Sequence, residues 1–114
     1  MADSPITTHV LDTARGTPAV GLRVVLERKT DAGYAEVGRG TTDADGRIGD
    51  LLTPDKFRPG VYLLHFDTGQ YFESTKRETF YPEAAVLFRV KEGDQHLHVP
   101  LLVSPFGYST YRGS

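Results

Sequence analysis

The chain has 114 residues, no cysteine and a formal net charge of -2, which is long enough for one domain that buries roughly two thirds of its unfolded surface. Without cysteine there is no disulfide framework, thiolate metal site or cysteine nucleophile, and without a basic excess or a Lys/Arg run nucleic acid is not an expected partner. A hydrophobic fraction of 39% and a charged fraction of 25% belong to an ordinary globular chain, not a disordered one.

Short β-rich runs separated by Gly, Pro and Asp clusters recur along the chain, the spacing of a sandwich or barrel. One domain over residues 1–114 is expected, with residues 1–5 as a flexible N-terminus that lacks the apolar stretch of a signal peptide. No apolar run approaches the roughly 20 residues needed to cross a bilayer, so no membrane partner is expected and the cytoplasm is the default compartment. Ile6 to Asp12 reads as a first strand, ended by the turn formers Arg15, Gly16, Thr17 and Pro18. Residues 22–29 make a second strand, residues 30–33 turn the chain, and residues 34–41 return it. Asp43, Ala44, Asp45 and Gly46 then form a tight turn that delivers Arg47. Residues 60–67 place Val61, Leu63 and His65 on one face and Tyr62, Leu64 and Phe66 on the other, a pattern expected of a central strand buried on both sides. Residues 69–76 carry no period of two and are the one place for a short helix. Residues 85–90, 95–103 and 107–111 supply further strands, for an all-β total of roughly seven or eight.

Period two puts Thr7, His9 and Leu11 on one face of the first strand, opposite Ile6, Thr8 and Val10. His9 therefore points away from the core face, where a lone histidine is most simply a solvated one. His96 and His98 are two apart and point the same way. Zinc takes three or four ligands, and with no cysteine and no third histidine at matched spacing no metal site is expected. The stretch 41–52 opens like a calcium loop, with Asp43, Asp45 and Gly46 at positions three, five and six, but Thr41 and Leu52 stand where the first and last carboxylates belong. Arg47 is a surface arginine or, alternatively, a fixed cationic fork for an oxyanion or amide carbonyl.

Three segments carry a family resemblance: His9, Val10, Leu11, Asp12; then Arg15, Gly16, Thr17, Pro18, Ala19; then the run from Ser104, Pro105, Phe106, Gly107 to Tyr111, Arg112, Gly113, Ser114. They stand in one order, with the 43–48 turn and residues 57–62 between them. The chain resembles the transthyretin-like family over about residues 6–114, and within it the branch that hydrolyses 5-hydroxyisourate. That branch carries a histidine in its first strand, an arginine after the middle turn, a histidine in its penultimate strand and a Tyr-Arg-Gly-Ser ending. The hormone-carrying branch has a lysine in place of the first histidine and a different tail.

The resemblance implies a sandwich of two four-stranded sheets with one short helix, assembled as a homotetramer (a dimer of dimers) whose channel is lined by the first and last strands. It implies hydrolysis of the cyclic amide of 5-hydroxyisourate in urate breakdown, without cofactor or metal. His9, Arg47, His98 and Ser114 are the implied catalytic residues, and Arg47, Leu11, Tyr111, Arg112 and Gly113 the implied substrate contacts. Either histidine suits as the base, and His96, which the resemblance does not cover, is expected to be a spectator. Two other readings compete: a carrier of a small aromatic ligand in the same channel, opposed by His9 and the ending, and an adhesion-type sandwich module, for which partner domains and linkers are wanting.

Overall fold

A computed structural model describes residues 4–114. Met1, Ala2 and Asp3, assigned above to a flexible N-terminus, lie outside the described residues. Ser4 and Pro5, assigned with them, are tied into the fold. The Ser4 hydroxyl donates to the Ile6 carbonyl and accepts from the Leu52 amide at 3.0 Å, and the Pro5 carbonyl accepts from the Leu97 amide at 2.8 Å.

The elements follow the alternation of apolar and polar residues. In chain order they are β1 (Ile6–Asp12), β2 (Thr17–Pro18), β3 (Arg23–Thr30), β4 (Gly33–Thr41), β5 (Arg47–Ile48), a 3₁₀ turn (Pro54–Lys56), β6 (Gly60–Phe66), α1 (Thr68–Ser74), β7 (Ala84–Val90), β8 (Leu97–His98), β9 (Leu101–Ser104) and β10 (Gly107–Thr110). One sheet is regular and antiparallel, in the order β4-β3-β6-β7. The other follows the path β10-β9-β1-β2, with the two-residue strands β5 and β8 also paired to β1. β1 is thus the axis of its sheet: β8 and β9 run parallel along one edge, while β5 and β2 run antiparallel to it.

The two inner faces form one core, in which Ile6 and Val10 of β1 and Leu101 and Val103 of β9 meet Val24, Leu26, Tyr62, Leu64 and Phe66 of the opposite sheet. Burial of each such side chain stabilises the fold by about 1.5–3 kcal/mol. β6 is central, as expected, but it is not buried on both sides. Tyr62, Leu64 and Phe66 are fully buried, whereas Val61, Leu63 and His65 on the outer face are half-buried.

The expected strand over residues 95–103 is divided in two. Pro100 has no amide to donate, so it cannot continue a ladder. β8 and β9 flank it in the same register on β1, with Thr7 opposite His98 and Val10 opposite Leu101. The join is held by the Val99 amide on the Thr7 carbonyl at 2.9 Å and the Thr8 hydroxyl on the Val99 carbonyl at 2.7 Å.

The helix lies within a residue or two of its expected place. Asp67 caps its first turn through the Gln70 amide, and it buries Tyr71 and Phe72. Just beyond it, Lys76 takes a left-handed φ of 59°, the usual way to leave a helix. The helix is tied to the end of β1 by a buried carboxylate. Asp12 accepts from the Tyr71 hydroxyl at 2.7 Å and from both terminal nitrogens of Arg77.

Candidate active site

β1 is paired on both edges, and its register decides what gathers on its outer face. His9 stands opposite Arg47 of β5, and Thr7 stands opposite His98 of β8. Cross-strand partners share a face with Cβ atoms about 5 Å apart, so Thr7, His9, Arg47 and His98 come from remote stretches onto one surface, away from the core. His96, two residues before His98, joins them: its Nε2 lies 3.2 Å from the Thr7 hydroxyl. The two imidazoles and the guanidinium singled out from the sequence are thus brought together within one chain.

Arg47 is placed by the turn before it. The Asp43 carboxylate accepts from the amides of Asp45 and Arg47 at 2.9 and 3.0 Å, and the Asp43 amide donates to the Arg47 carbonyl at 3.0 Å. These main-chain donors, those of Arg47 and Asp45 foremost, hold the Asp43 carboxyl below its ordinary 3.8. Gly46 makes the turn close against β1, because its φ of 77° favours glycine and an added Cβ would lie 2.5 Å from the Val10 carbonyl oxygen. Its own carbonyl accepts from the Val10 amide at 2.8 Å. The calcium-like beginning of this loop therefore has a structural use, as a clamp that fixes Arg47 beside His9.

His98 is held on three sides. Its Nδ1 lies 2.8 Å from the Thr7 hydroxyl, its carbonyl accepts from the Gly113 amide at 2.8 Å, and a Cβ on Gly113 would stand 2.6 Å from the ring carbon Cδ2. Only glycine lets the chain end pass this close. Burial lowers the pKa of His98 below its ordinary 6.5, and the positive charges of Arg47, His9 and His96 lower it further, against a hydrogen bond with the Thr7 main chain that raises it. At neutral pH this imidazole is an unprotonated base beside a permanent cation.

The remaining expected residues are distributed less tightly. Leu11 is half-buried on the same face of β1 as His9, and pairs with Pro18 and Leu102. Tyr111 and Arg112 line a groove of about 330 Å³ whose other wall is β7, with Leu97 and Val99 at its base. Neither His9 nor Arg47 lines this groove, whereas Gly113, next in the chain after Arg112, pairs with His98. Arg112 comes within 3.9 Å of Asp94, and Ser114 is exposed just past Gly113.

Two supports are not visible in the sequence. Asp43 shows there only as a turn former and a calcium-loop look-alike, and Thr7, though on the face of His9, gains meaning only from the register that sets it against two histidines.

The family model described as HIUase/transthyretin matches residues 6–113. The chain belongs to the HIUase/transthyretin family. Among its relatives, the 5-hydroxyisourate hydrolase of Salmonella dublin is 50% identical over 109 residues, covering 96% of this chain and 80% of that protein. The 5-hydroxyisourate hydrolase of Mus musculus is 48% identical over 113 residues, covering 97% and 96%. Among solved structures, sea bream transthyretin in complex with thyroxine superposes with a TM-score of 0.92 at 36% identity, covering 96% of this chain and 95% of that one. The family fold is therefore shared by a transthyretin that binds thyroxine and by proteins named 5-hydroxyisourate hydrolase, and the outer face of β1 has to decide between them.

Proposed function

We propose that this protein hydrolyses 5-hydroxyisourate to 2-oxo-4-hydroxy-4-carboxy-5-ureidoimidazoline, a step of urate degradation. The observation that carries the proposal is the convergence of His9, Arg47 and His98 on one face of β1, in a chain about half identical to proteins named for that reaction. Opening a cyclic amide with water requires a base for the water, a counter-charge for the tetrahedral oxyanion and a proton for the departing ring nitrogen.

His98 is the base in this reading, since burial first and the neighbouring cations next favour its unprotonated form. It takes a proton from water as the oxygen adds to the amide carbonyl carbon. Arg47 faces the oxyanion that forms, a role suited to a rigid guanidinium. The intermediate then collapses, the C–N bond breaks, and the ring nitrogen leaves with a proton returned from a histidine; His9, on the same face, completes the relay. Ser114 donates a hydrogen bond and is not acylated, and Leu11, Tyr111, Arg112 and Gly113 shape the pocket. No step needs a cofactor or a metal.

Tyr111 and Arg112 reach the histidines in this reading through a homotetramer, a dimer of dimers in which neighbouring chains complete the channel. Support comes from the apolar side chains exposed at β7 and at the chain end, Leu87 at 60% and Tyr111 at 58%. Among the described residues no helix is long and apolar enough to cross a membrane, and a cytoplasmic location is proposed with the metabolic role.

The test is stereochemical product analysis on purified protein with freshly generated 5-hydroxyisourate, because the substrate also decays unaided. Acceleration with one enantiomer formed is expected; a racemic product at the uncatalysed rate overturns the reading. The likeness to the thyroxine complex of sea bream transthyretin supports a second reading, a carrier. Tight thyroxine binding without acceleration would favour it.

A further inference from the structure

We infer that Thr7 is a positioning residue that locks the tautomer of His98 and links it to His96, so that His96 belongs to the working site. The inference rests on geometry for the link between the two rings and on the hydrolytic reading for its direction. One hydroxyl lies 2.8 Å from Nδ1 of His98 and 3.2 Å from Nε2 of His96. A threonine hydroxyl has a single proton to donate, so it cannot donate to both rings. It donates to one and accepts from the other, and there are two ways to arrange this.

If Thr7 donated to His98, the proton of His98 would sit on Nε2 and its lone pair would be spent on Nδ1, facing the strand instead of the outer face. A base for water needs its lone pair on the nitrogen that faces outward, so the hydrolytic reading requires the other arrangement. Nδ1 of His98 then carries the hydrogen, the Thr7 oxygen accepts it, and the Thr7 hydroxyl turns its own proton to Nε2 of His96. The chain of donors is directional: His98 Nδ1–H to Thr7 Oγ1, Thr7 O–H to His96 Nε2. It leaves Nε2 of His98 as the free base.

The same chain can carry charge. As Nε2 of His98 takes a proton from water, the Nδ1 proton passes to Thr7 while the Thr7 hydroxyl proton passes to His96. His98 ends neutral, Thr7 is unchanged and His96 becomes the cation. That matters because His98 is partly buried, with His9 of β1 and Arg47 of β5 facing it, whereas His96 is exposed to water. Of the remaining charged groups nearby, Arg112 of the chain end lies against Asp94, just before His96 in sequence. Moving the charge outward to His96 avoids a second cation beside Arg47.

The test uses Thr7→Val, which keeps the β-branched shape and removes the hydroxyl, with Thr7→Ser and His96→Gln as companions. Long-range ¹H–¹⁵N correlation spectra of the free protein report which ring nitrogen of His98 bears the proton. The wild type is expected to show Nδ1–H, Thr7→Val a mixture, and Thr7→Ser the wild-type tautomer. Loss of the partner that orients a metal-bound histidine typically costs 10–100-fold; by analogy kcat is expected to fall by about tenfold in Thr7→Val with KM little changed, to recover in Thr7→Ser, and to fall by less in His96→Gln. An Nε2–H tautomer in the wild type, or an unchanged tautomer in Thr7→Val, overturns the inference. The spectra decide this without substrate, so failure of the hydrolytic reading would appear separately, as a wild-type protein with the expected tautomer and no acceleration.

Discussion

His65 on the four-stranded sheet and His98 on the sheet around β1 both face away from the core, yet their surroundings are opposite in sign. His65 touches Glu27 through Nε2 at 2.5 Å and has Glu83 3.7 Å from Nδ1. His98 has Arg47, His9 and His96 around it. The frameworks differ in the same sense. β3, β4, β6 and β7 are long ladders of seven to nine residues, while β5 and β8 are two-residue pieces hung on β1 by turns and by the chain end. Regular pairing makes a scaffold, and short pieces held by specific hydrogen bonds can bring a cation and two imidazoles together at some electrostatic cost. His65 faces carboxylates, whereas His98, partly buried and set among cations, is kept as a base.

The sharpest way to break this comparison is to remove each histidine in turn. His98→Ala and Arg47→Ala are expected to lower kcat by about 10²–10³-fold, the usual cost of losing a general base or an oxyanion donor, without unfolding the protein, because neither side chain enters the core. His65→Ala is expected to stay within about twofold, since it lies on the outer face of the other sheet, apart from the residues gathered on β1. The rates come from ultraviolet loss of freshly made 5-hydroxyisourate, and circular dichroism checks the fold. Equal loss in all three variants would dissolve the distinction between the two faces.

A second contrast sets the site against the anchor at the other end of β1. Asp12 is completely buried with Tyr71 and Arg77 upon it. Burial raises its pKa, but the hydrogen bonds from Arg77 and Tyr71 outweigh it and hold the carboxyl below its ordinary 3.8. A depressed carboxylate adds stability that is complete above its unfolded pKa and lost as pH falls through the folded one. Arg77→Ala leaves burial as the main influence, so acid unfolding should begin at higher pH than in the wild type. Uncompensated burial of the charge is expected to cost about 3 kcal/mol near neutral pH, measured by urea unfolding. A variant with unchanged stability and acid midpoint would show that the network is dispensable.

How far the sequence reveals each part follows from the same contrast. β1, β3, β4, β6 and β7 can be read to within a residue, since apolar alternation is a local signal that long ladders leave intact. The break between β8 and β9 has a local cause in Pro100, but β2 and β5 owe their existence to pairing with β1, which nothing in two residues announces. The outer face of β6 looks apolar enough for burial, yet Val61, Leu63 and His65 are only half covered. At the site, family resemblance points to His9, Arg47 and His98, while their proximity depends on register between segments about 40 and 90 positions apart, beyond any periodicity argument. Thr7 is silent for the same reason: its hydroxyl gains meaning only opposite His98.

The smallest expected effect tests the cause of the His98 environment directly. Its pKa is lowered by burial first and by the Arg47 charge next, so the acid limb of the wild-type kcat/KM profile should lie below 6.5, with activity lost as pH falls and His98 takes up a proton. Arg47→Lys retains the charge and should leave the His98 titration, followed by NMR, nearly in place. Arg47→Met removes it and should move that titration upward, only part of the way to the ordinary value because burial and the other two histidines remain. The sign follows from charge alone: a neighbouring cation disfavours a second, and its removal makes protonation easier. A downward movement in Arg47→Met, or an equal movement in Arg47→Lys, would mean that Arg47 acts on His98 by holding its shape and not through its field.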